Sequence, residues 1–378
     1  MGFTIAEKEA RHKAVQQILT EDKLQALLII GDTNIGHGFF GDYRYYTNNA
    51  LRFERGLALV FPDFTSVLFV SSDFSRQAAL RTSFMEDCRI SANFIADAVK
   101  LLKERGISRG RVGVSLEMLP TVWYLYLRQE LPQIEWVEAH DRIMEIRFRR
   151  SHEEAEVQRK GAALGTAGFE AALKVIRPGI TECEIAAEIE HYARSRGAEE
   201  QFTLIGSGKF ALGEKNSLAL PYTPSHRRVE MGDTAILEIT PRYDGYWTQL
   251  VRMVNVGQSN ADLEKMQIVC RDTIKKGLEQ LKPGKRVMDV ALAMESYARD
   301  CGYTAKEPFG HICGVDLVEG RFSQNERVLQ PGLALIIHPA VYTPDGKVRL
   351  FWGWGETYLV VDDGYERLHH TGDEVVTI

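Results

Sequence analysis

The sequence predicts a mixed protein, α/β in its first part and α+β in its second, built as two domains over residues 1–149 and 150–378. Three observations predict this. Helix-like and strand-like segments alternate in the first part. A long helical segment then opens after Ser151, where the texture of the chain changes. Beyond it the order becomes helices, strands, helices and strands again, and 378 residues is long for one core but comfortable for two.

Taken in order, "MGFTIAEKEARHKAVQQIL" predicts a charged amphipathic helix leading into the apolar strand "ALLIIG". "GLALVFP" and "SVLFVSS" are rich in β-branched and aromatic residues and predict short strands. "FIADAVKLLKERGI" has helical apolar spacing and precedes the strand "RVGVS". In "FRRSHEEAEVQRKGAALGTAGFEAALKVIRPG", Ser151 is the expected N-cap, and Glu153 and Glu154 suit the positive end of a helix. "TECEIAAEIEHYARSRGA" continues as a second helix. Strands follow to residue 256, helices over 261–301, and strands to the end.

Composition narrows the function. The net charge of -6 offers no basic stripe for nucleic acid. No apolar run approaches the roughly 20 residues of a membrane span. Cys88, Cys183, Cys270, Cys301 and Cys313 are odd in number and lack CxxC spacing, which suits reduced thiols. With an N-terminus unlike a signal peptide, the expectation is a cytoplasmic protein.

Candidate functional residues stand out by being polar in apolar settings. "ILEITPRYDGYWTQLVRM" is an expected hairpin, turning at Pro, Asp and Gly, with Glu238 on one strand and Gln249 on the other. Burying a carboxylate and an amide is unfavourable unless they bind something. His311 lies among glycines in "FGHICGVD", His338 ends the run "LALIIHP", and Glu356 follows "FWGWG". Singly, each is explained as a core histidine, a turn residue or an aromatic corner. Five on the β elements of one domain point to a pocket.

These segments, in this order, resemble the creatinase/aminopeptidase P/methionine aminopeptidase superfamily. "GDTAILEITPRYDGYWTQLVRMVNVG" looks like its first pair of metal-bearing strands. "GHICGVDLVEG", "LQPGLALIIHPAVY" and "GETYLVVDDGYERL" are similar to its later metal-ligand segments, and "GDYRYYTNN" to a stretch of its N-terminal domain. The resemblance implies a creatinase/prolidase-like α/β domain followed by a pita-bread domain. Metal-dependent members hold two divalent cations with two Asp, one His and two Glu. At those positions this chain has Glu238, Gln249, His311 and His338, and then Gly355, or Glu356 with a one-residue shift. With at most two carboxylates left, two divalent ions would carry about two uncompensated positive charges. A single ion on Glu238, His311 and His338 is a chemically reasonable alternative. The reading adopted is a site without metal or other cofactor.

Creatinase members of this superfamily hydrolyse a C–N bond without metal, so the resemblance implies a metal-independent hydrolase or lyase of a small carboxylate-bearing C–N compound. His311, His338 and Glu238 are the expected catalytic residues, the two histidines shuttling protons near neutral pH. Gln249, Glu356, Phe53, Arg55, Tyr222 and Trp352 are the expected substrate-binding residues. Phe53 and Arg55 match the Phe-x-Arg by which creatinases clamp substrate carboxylate across a dimer, which implies a homodimer. Tyr222 or Pro221 stands where those enzymes have a histidine. Two alternatives remain open: an Xaa-Pro peptidase with an altered metal site, and a non-catalytic binding module.

Overall fold

A computed structural model describes residues 2–33, 41–51, 54–209, 222–258, 261–322, 324–343 and 349–378 apart from 351–352, with 349–350 described by backbone alone. The chain divides into two compact units, Met1–Phe148 and Arg149–Ile378.

In order, the first unit contains α1 (Ile5–Glu21), β1 (Ala26–Asp32), α2 (Gly41–Thr47), β2 (Arg55–Val60), β3 (Ser66–Val70) and α3 (Asp73–Thr82). It continues with β4 (Asp87–Ile90), α4 (Phe94–Glu104), β5 (Arg109–Val114), α5 (Thr121–Glu130), β6 (Gln133–Glu138) and α6 (His140–Arg147). The sheet order is β4-β3-β2-β1-β5-β6, with β3/β4, β1/β5 and β5/β6 parallel. The unbroken apolar run of β1 follows from its place in the middle. Ala26, Leu28 and Ile30 pack with α4 residues such as Ala98 and Leu102, while Leu27 and Ile29 pack on the other face with Val15, Tyr43 and Ile143. A strand covered on both faces has no need of polar alternation.

The N-terminal helix departs from the expectation in one respect. Its buried face includes the ion pair Glu7–Arg11 at 2.7 Å as well as Val15, Ile18 and Leu19. Arg11 is offset by that carboxylate and lies 4.0 Å from the Phe3 ring centre, so the buried stripe is mixed rather than apolar.

The second unit opens with α7 (His152–Val175) and α8 (Glu182–Arg194). Each starts in a capping box, Ser151 with Glu154 and Thr181 with Glu184. Next come β7 (Glu200–Gly208), β8 (Thr234–Tyr243), β9 (Tyr246–Trp247), β10 (Leu250–Asn255), α9 (Ala261–Leu278) and α10 (Val287–Asp300). The remaining strands are β11 (Thr304–Lys306), β12 (Gly310–Ile312), β13 (Gly320–Arg321), β14 (Ala334–Ile337), β15 (Ala340–Tyr342), β16 (Arg349–Leu350), β17 (Glu356–Val361), β18 (Gly364–Arg367) and β19 (Val376–Thr377). Among the described residues they form sheets ordered β19-β10-β8-β7 (with β9 on β8), β13-β12-β14-β17-β18 and β11-β15-β16. The first two sheets meet where Val251 and Gly355 exchange backbone hydrogen bonds of 2.8 and 3.1 Å. That seam positions the candidate site. The five cysteines are free thiols, and no described helix is long and apolar enough to cross a membrane.

Candidate functional site

The hairpin expected from "PRYDGY" is present and unbroken. Asp244 and Gly245 take φ of 44° and 90°, as a two-residue I′ turn requires. Tyr243 faces Tyr246 and Ile239 faces Leu250, the same offset, so Gln249 lies opposite Thr240 and Glu238 opposite Val251. Alternation then puts Glu238, Thr240, Gln249 and Val251 on one face. Gln249 Nε2 donates to Glu238 Oε1 at 2.5 Å and to Thr240 Oγ1 at 3.3 Å. The other amide atom, Gln249 Oε1, is buried without a partner among the described residues.

The histidines arrive from the second sheet. His311 on β12 faces Ile336 on β14, and Ile337 faces Glu356 on β17, so the next pair outward is His338 and Gly355. The two imidazole rings lie 5.2 Å apart, edge to face. A Cβ built on Gly355 would stand 2.6 Å from His338 Cβ and 3.2 Å from Val251 Cγ2. Gly355 is therefore the residue between His338 and the strand that faces Glu238. Thr357 Oγ1 accepts from Gln249 N at 2.8 Å and closes the seam on that side. Glu238 and Gln249 form one hydrogen-bonded pair and His311 and His338 another pair in ring contact, on strands that meet at the Val251–Gly355 bridge.

Glu356 does not join them. One residue on from Gly355, its side chain points the other way. Arg367 donates to both of its oxygens at 2.5 Å, and Arg252 also donates to it. Both carboxylate oxygens are engaged, in a buried ion-pair network that ties β10, β17 and β18 together. Glu356 therefore faces away from the seam, where Gly355 stands beside His338. Trp354 offers no free aromatic wall, because the Arg252 guanidinium sits 4.0 Å above its ring.

Of the remaining expected residues, Tyr222 and Arg55 are described. Tyr222 pairs through its backbone with Ile205, and its side chain is 75% exposed. Arg55, in the first unit, is bound to Asp32 at 2.5 Å and lies 5.6 Å from the Trp123 ring centre. Phe53 and Trp352 fall outside the described residues. Sequence reasoning missed Arg252, Thr240 and Thr357. An arginine within "QLVRMVNV" is as anomalous as Gln249, and the cost of burying a polar group singles it out in the same way.

Burial takes both histidines out of the near-neutral range expected for them and shifts Glu238 as well. Glu238 is buried with no cation beside it among the described residues, and burial pushes its carboxyl up to about 8, against the opposing Gln249 hydrogen bond. Burial lowers His311 to about 4. Burial and the neighbouring His311 lower His338 to about 3. At neutral pH both imidazoles are neutral bases and the proton sits on Glu238.

Residues 156–365 match metallopeptidase family M24, and residues 11–149 match the creatinase/prolidase N-terminal domain. The chain belongs to family M24. It is 27% identical to the creatinase of a Bacillus species over 91% of this chain and 86% of that protein. It is 28% identical to the Xaa-Pro dipeptidase of Pyrococcus furiosus over 64% of this chain and 69% of that one. The X-Pro aminopeptidase of Thermotoga maritima superposes with a TM-score of 0.84 at 21% identity, over 97% of this chain and 99% of that one. A prolidase of Pyrococcus horikoshii gives 0.82 at 23%, over 97% and 100%. The second unit therefore has the pita-bread fold, and the protein is an M24-family hydrolase.

The family name implies a metal, and the donor set present does not fit a metal pair. Among the described residues, no group of three or more His, Cys, Asp and Glu is placed to hold an ion. Gln249 turns an NH₂ donor onto the one nearby carboxylate, Gly355 supplies no donor, and Glu356 is held by two arginines.

Proposed function

We propose that this M24 protein is a metal-independent hydrolase of a C–N bond in a small carboxylate-bearing compound. The observation that carries the reading is the pair His311 and His338 packed at Gly355, which has no side chain and bridges to Val251, two residues from Gln249. A neutral imidazole and a protonated carboxyl serving one site are a base and an acid ready at the same pH. One histidine takes a proton from water as the water oxygen bonds to carbon. The C–N electron pair leaves with nitrogen, which takes the Glu238 proton. The histidine proton then returns to Glu238, so one water is added across the bond. Gln249 holds the acid in place through Nε2, and its unpartnered Oε1 is available to a substrate N–H.

The substrate carboxylate is assigned to Arg55 and Phe53 of a second copy, which makes the working form a homodimer. Arg55 is charged and its side chain 41% exposed, and Asp32 holds its Nε so that the guanidinium face is presented in one orientation. The cytoplasm is the compartment that the free thiols favour.

The test combines elemental analysis of protein purified without chelator with turnover of carboxylate-bearing amides, amidines and ureas, and of Xaa-Pro dipeptides. We expect well under one equivalent of Mn, Co, Zn or Fe, activity that survives EDTA, and loss of activity in His311→Ala and His338→Ala. Stoichiometric metal, lost with activity on chelation and restored by one metal, would establish the Xaa-Pro peptidase instead. No turnover of any substrate, with tight retention of a small molecule, would establish a binding module.

A further inference from the structure

We infer that the hydroxyl of Thr357 is a positioning device that fixes Gln249 in the site, in place of a backbone ladder. This rests on the hydrolase reading above for its catalytic consequence, but not for its structural one.

Gln249 lies in a break between two strands, after β9 ends at Trp247 and before β10 begins at Leu250. Along an antiparallel strand, the backbone groups turn to one neighbour and then the other. Thr248 N donates to Pro241 O at 3.1 Å, so Thr248 faces β8. Val251 faces β17, where it exchanges both bonds with Gly355. Gln249, two residues before Val251, turns its N–H and C=O the same way. A regular ladder would run on from Val251–Gly355 to Gln249–Thr357 through backbone alone. It does not, because the backbone of Thr357 is engaged elsewhere. Thr357 sits opposite Ile336 on β14, and its carbonyl accepts from Leu368 N at 3.2 Å. The Val251–Gly355 bridge is isolated, and beyond it the Thr357 side chain spans the gap. Its Oγ1 accepts from Gln249 N at 2.8 Å and donates to Gln249 O at 3.2 Å. A hydroxyl is donor and acceptor at once, so one side chain replaces two backbone groups.

Gln249 and Thr357 are both buried, so water is no substitute for the hydroxyl. The Gln249 side chain follows its backbone. Nε2 reaches Glu238 Oε1 at 2.5 Å and Thr240 Oγ1 at 3.3 Å, while Oε1 is buried without a partner among the described residues. The amide is thus bonded at one end. Where its other end points is decided by where the Gln249 backbone stands. A purely structural hydroxyl would affect stability and leave the amide in place, and the amide has its own spectroscopic signal.

Thr357→Val keeps the shape and removes the hydroxyl, whereas Thr357→Ser keeps the hydroxyl. Hydrogen exchange reads the Gln249 backbone amide. Proton–nitrogen-15 spectra read its side-chain NH₂, assigned by its absence in Gln249→Leu. In the wild type, the Gln249 backbone amide should be protected like that of Val251, whose partner is backbone. In the Val variant it should exchange at least about tenfold faster, while Arg252, in the β8 ladder, stays within about twofold. The side-chain NH₂ signals should move in the Val variant and return in the Ser variant. We expect kcat to fall at least about tenfold in the Val variant with KM within about twofold, and to recover in the Ser variant. A Gln249 amide that exchanges freely in the wild type would overturn the inference, even if Thr357→Val failed to fold. So would NH₂ signals at wild-type positions, or a wild-type kcat, in the folded Val variant. Displaced NH₂ signals with no hydrolysis by any form of the protein would leave the positioning intact and refute the hydrolase reading instead.

Discussion

Replacing Glu238 by Gln should stabilise the protein, and more so as pH rises. The wild-type carboxyl stays protonated in the folded state up to about 8, against 4.5 in an ordinary setting. The unfolded chain releases that proton near 4.5, so folding takes one up between the two values. The stabilising contribution is therefore complete below 4.5 and is lost as pH rises through about 8. At about 1.4 kcal/mol per pH unit, the full span corresponds to about 5 kcal/mol, an upper bound because buried sites relax and admit water. Gln keeps the size and a hydrogen-bond partner for Gln249 and does not titrate. Urea unfolding at pH 5, 7 and 9 should show Glu238→Gln gaining on wild type by at least about 1 kcal/mol between pH 5 and 9, a midpoint shift of roughly 0.3–1 M. A gap that is flat with pH would show that Glu238 is ionised in the fold. A variant less stable than wild type at pH 9, with the loss abolished by EDTA, would mean that a cation holds the carboxylate.

The same geometry sets three further outcomes. His311, His338 and His369 are lowered to about 4, 3 and 3, so their contribution is present above pH 6.5 and lost as pH falls through about 4. The double variant His311→Gln/His338→Gln should lose less stability than wild type between pH 6.5 and 4, by calorimetry, and an unchanged acid slope would refute this. Gly355→Ala puts a Cβ 2.6 Å from His338 Cβ and should cost about 1–3 kcal/mol by overpacking, roughly 2–12 °C in melting temperature. An unshifted melting curve would show that Gly355 is not against His338. Gln249→Asp removes the amide that holds Glu238 and sets two carboxylates face to face, so Mn²⁺ at millimolar concentration should raise its melting temperature and leave wild type unmoved. No response in the variant would show that Gln249 is not what keeps an ion out.

The frame was legible in the sequence where periodicity and end signals agreed. Ser151 with Glu154 and Thr181 with Glu184 announce two helices, and "PRYDGY" announces the turn. The first unit hid more. "TVWYLYLRQE" is aromatic and β-like in composition, yet forms α5, because only Leu127 needs full burial and tertiary packing overrides propensity. Residue type singles out Glu238, Gln249, His311 and His338 as candidates, because polar side chains in apolar strands are anomalies at any register, and the structure shows all four buried. Glu356 eludes the sequence for the opposite reason. A one-residue register slip flips a side chain to the other face, and nothing local to "GWGETY" reveals the slip. The Val251–Gly355 bridge and the arginines at 252 and 367 show Glu356 turned away from that seam. The protonation states were out of reach for a related reason, since they depend on burial and on which charges lie across the seam.

The two carboxylates on this pair of strands show how one scaffold separates charge from chemistry. Glu356 lies between Arg252 and Arg367, so its negative charge is neutralised and its role is to clamp β17 against β10. Glu238, on the other face, is buried with an amide in place of a cation, so the stable form there is the neutral acid. Exchanging the environments would exchange the roles: an arginine opposite Glu238 would abolish its proton, and the loss of Arg252 would leave Glu356 a buried carboxylate with one arginine fewer. The frame of the family is kept by the arginine-clamped face, whose charges are matched. The opposite face holds instead a buried carboxyl bound by Gln249, whose Oε1 has no partner among the described residues.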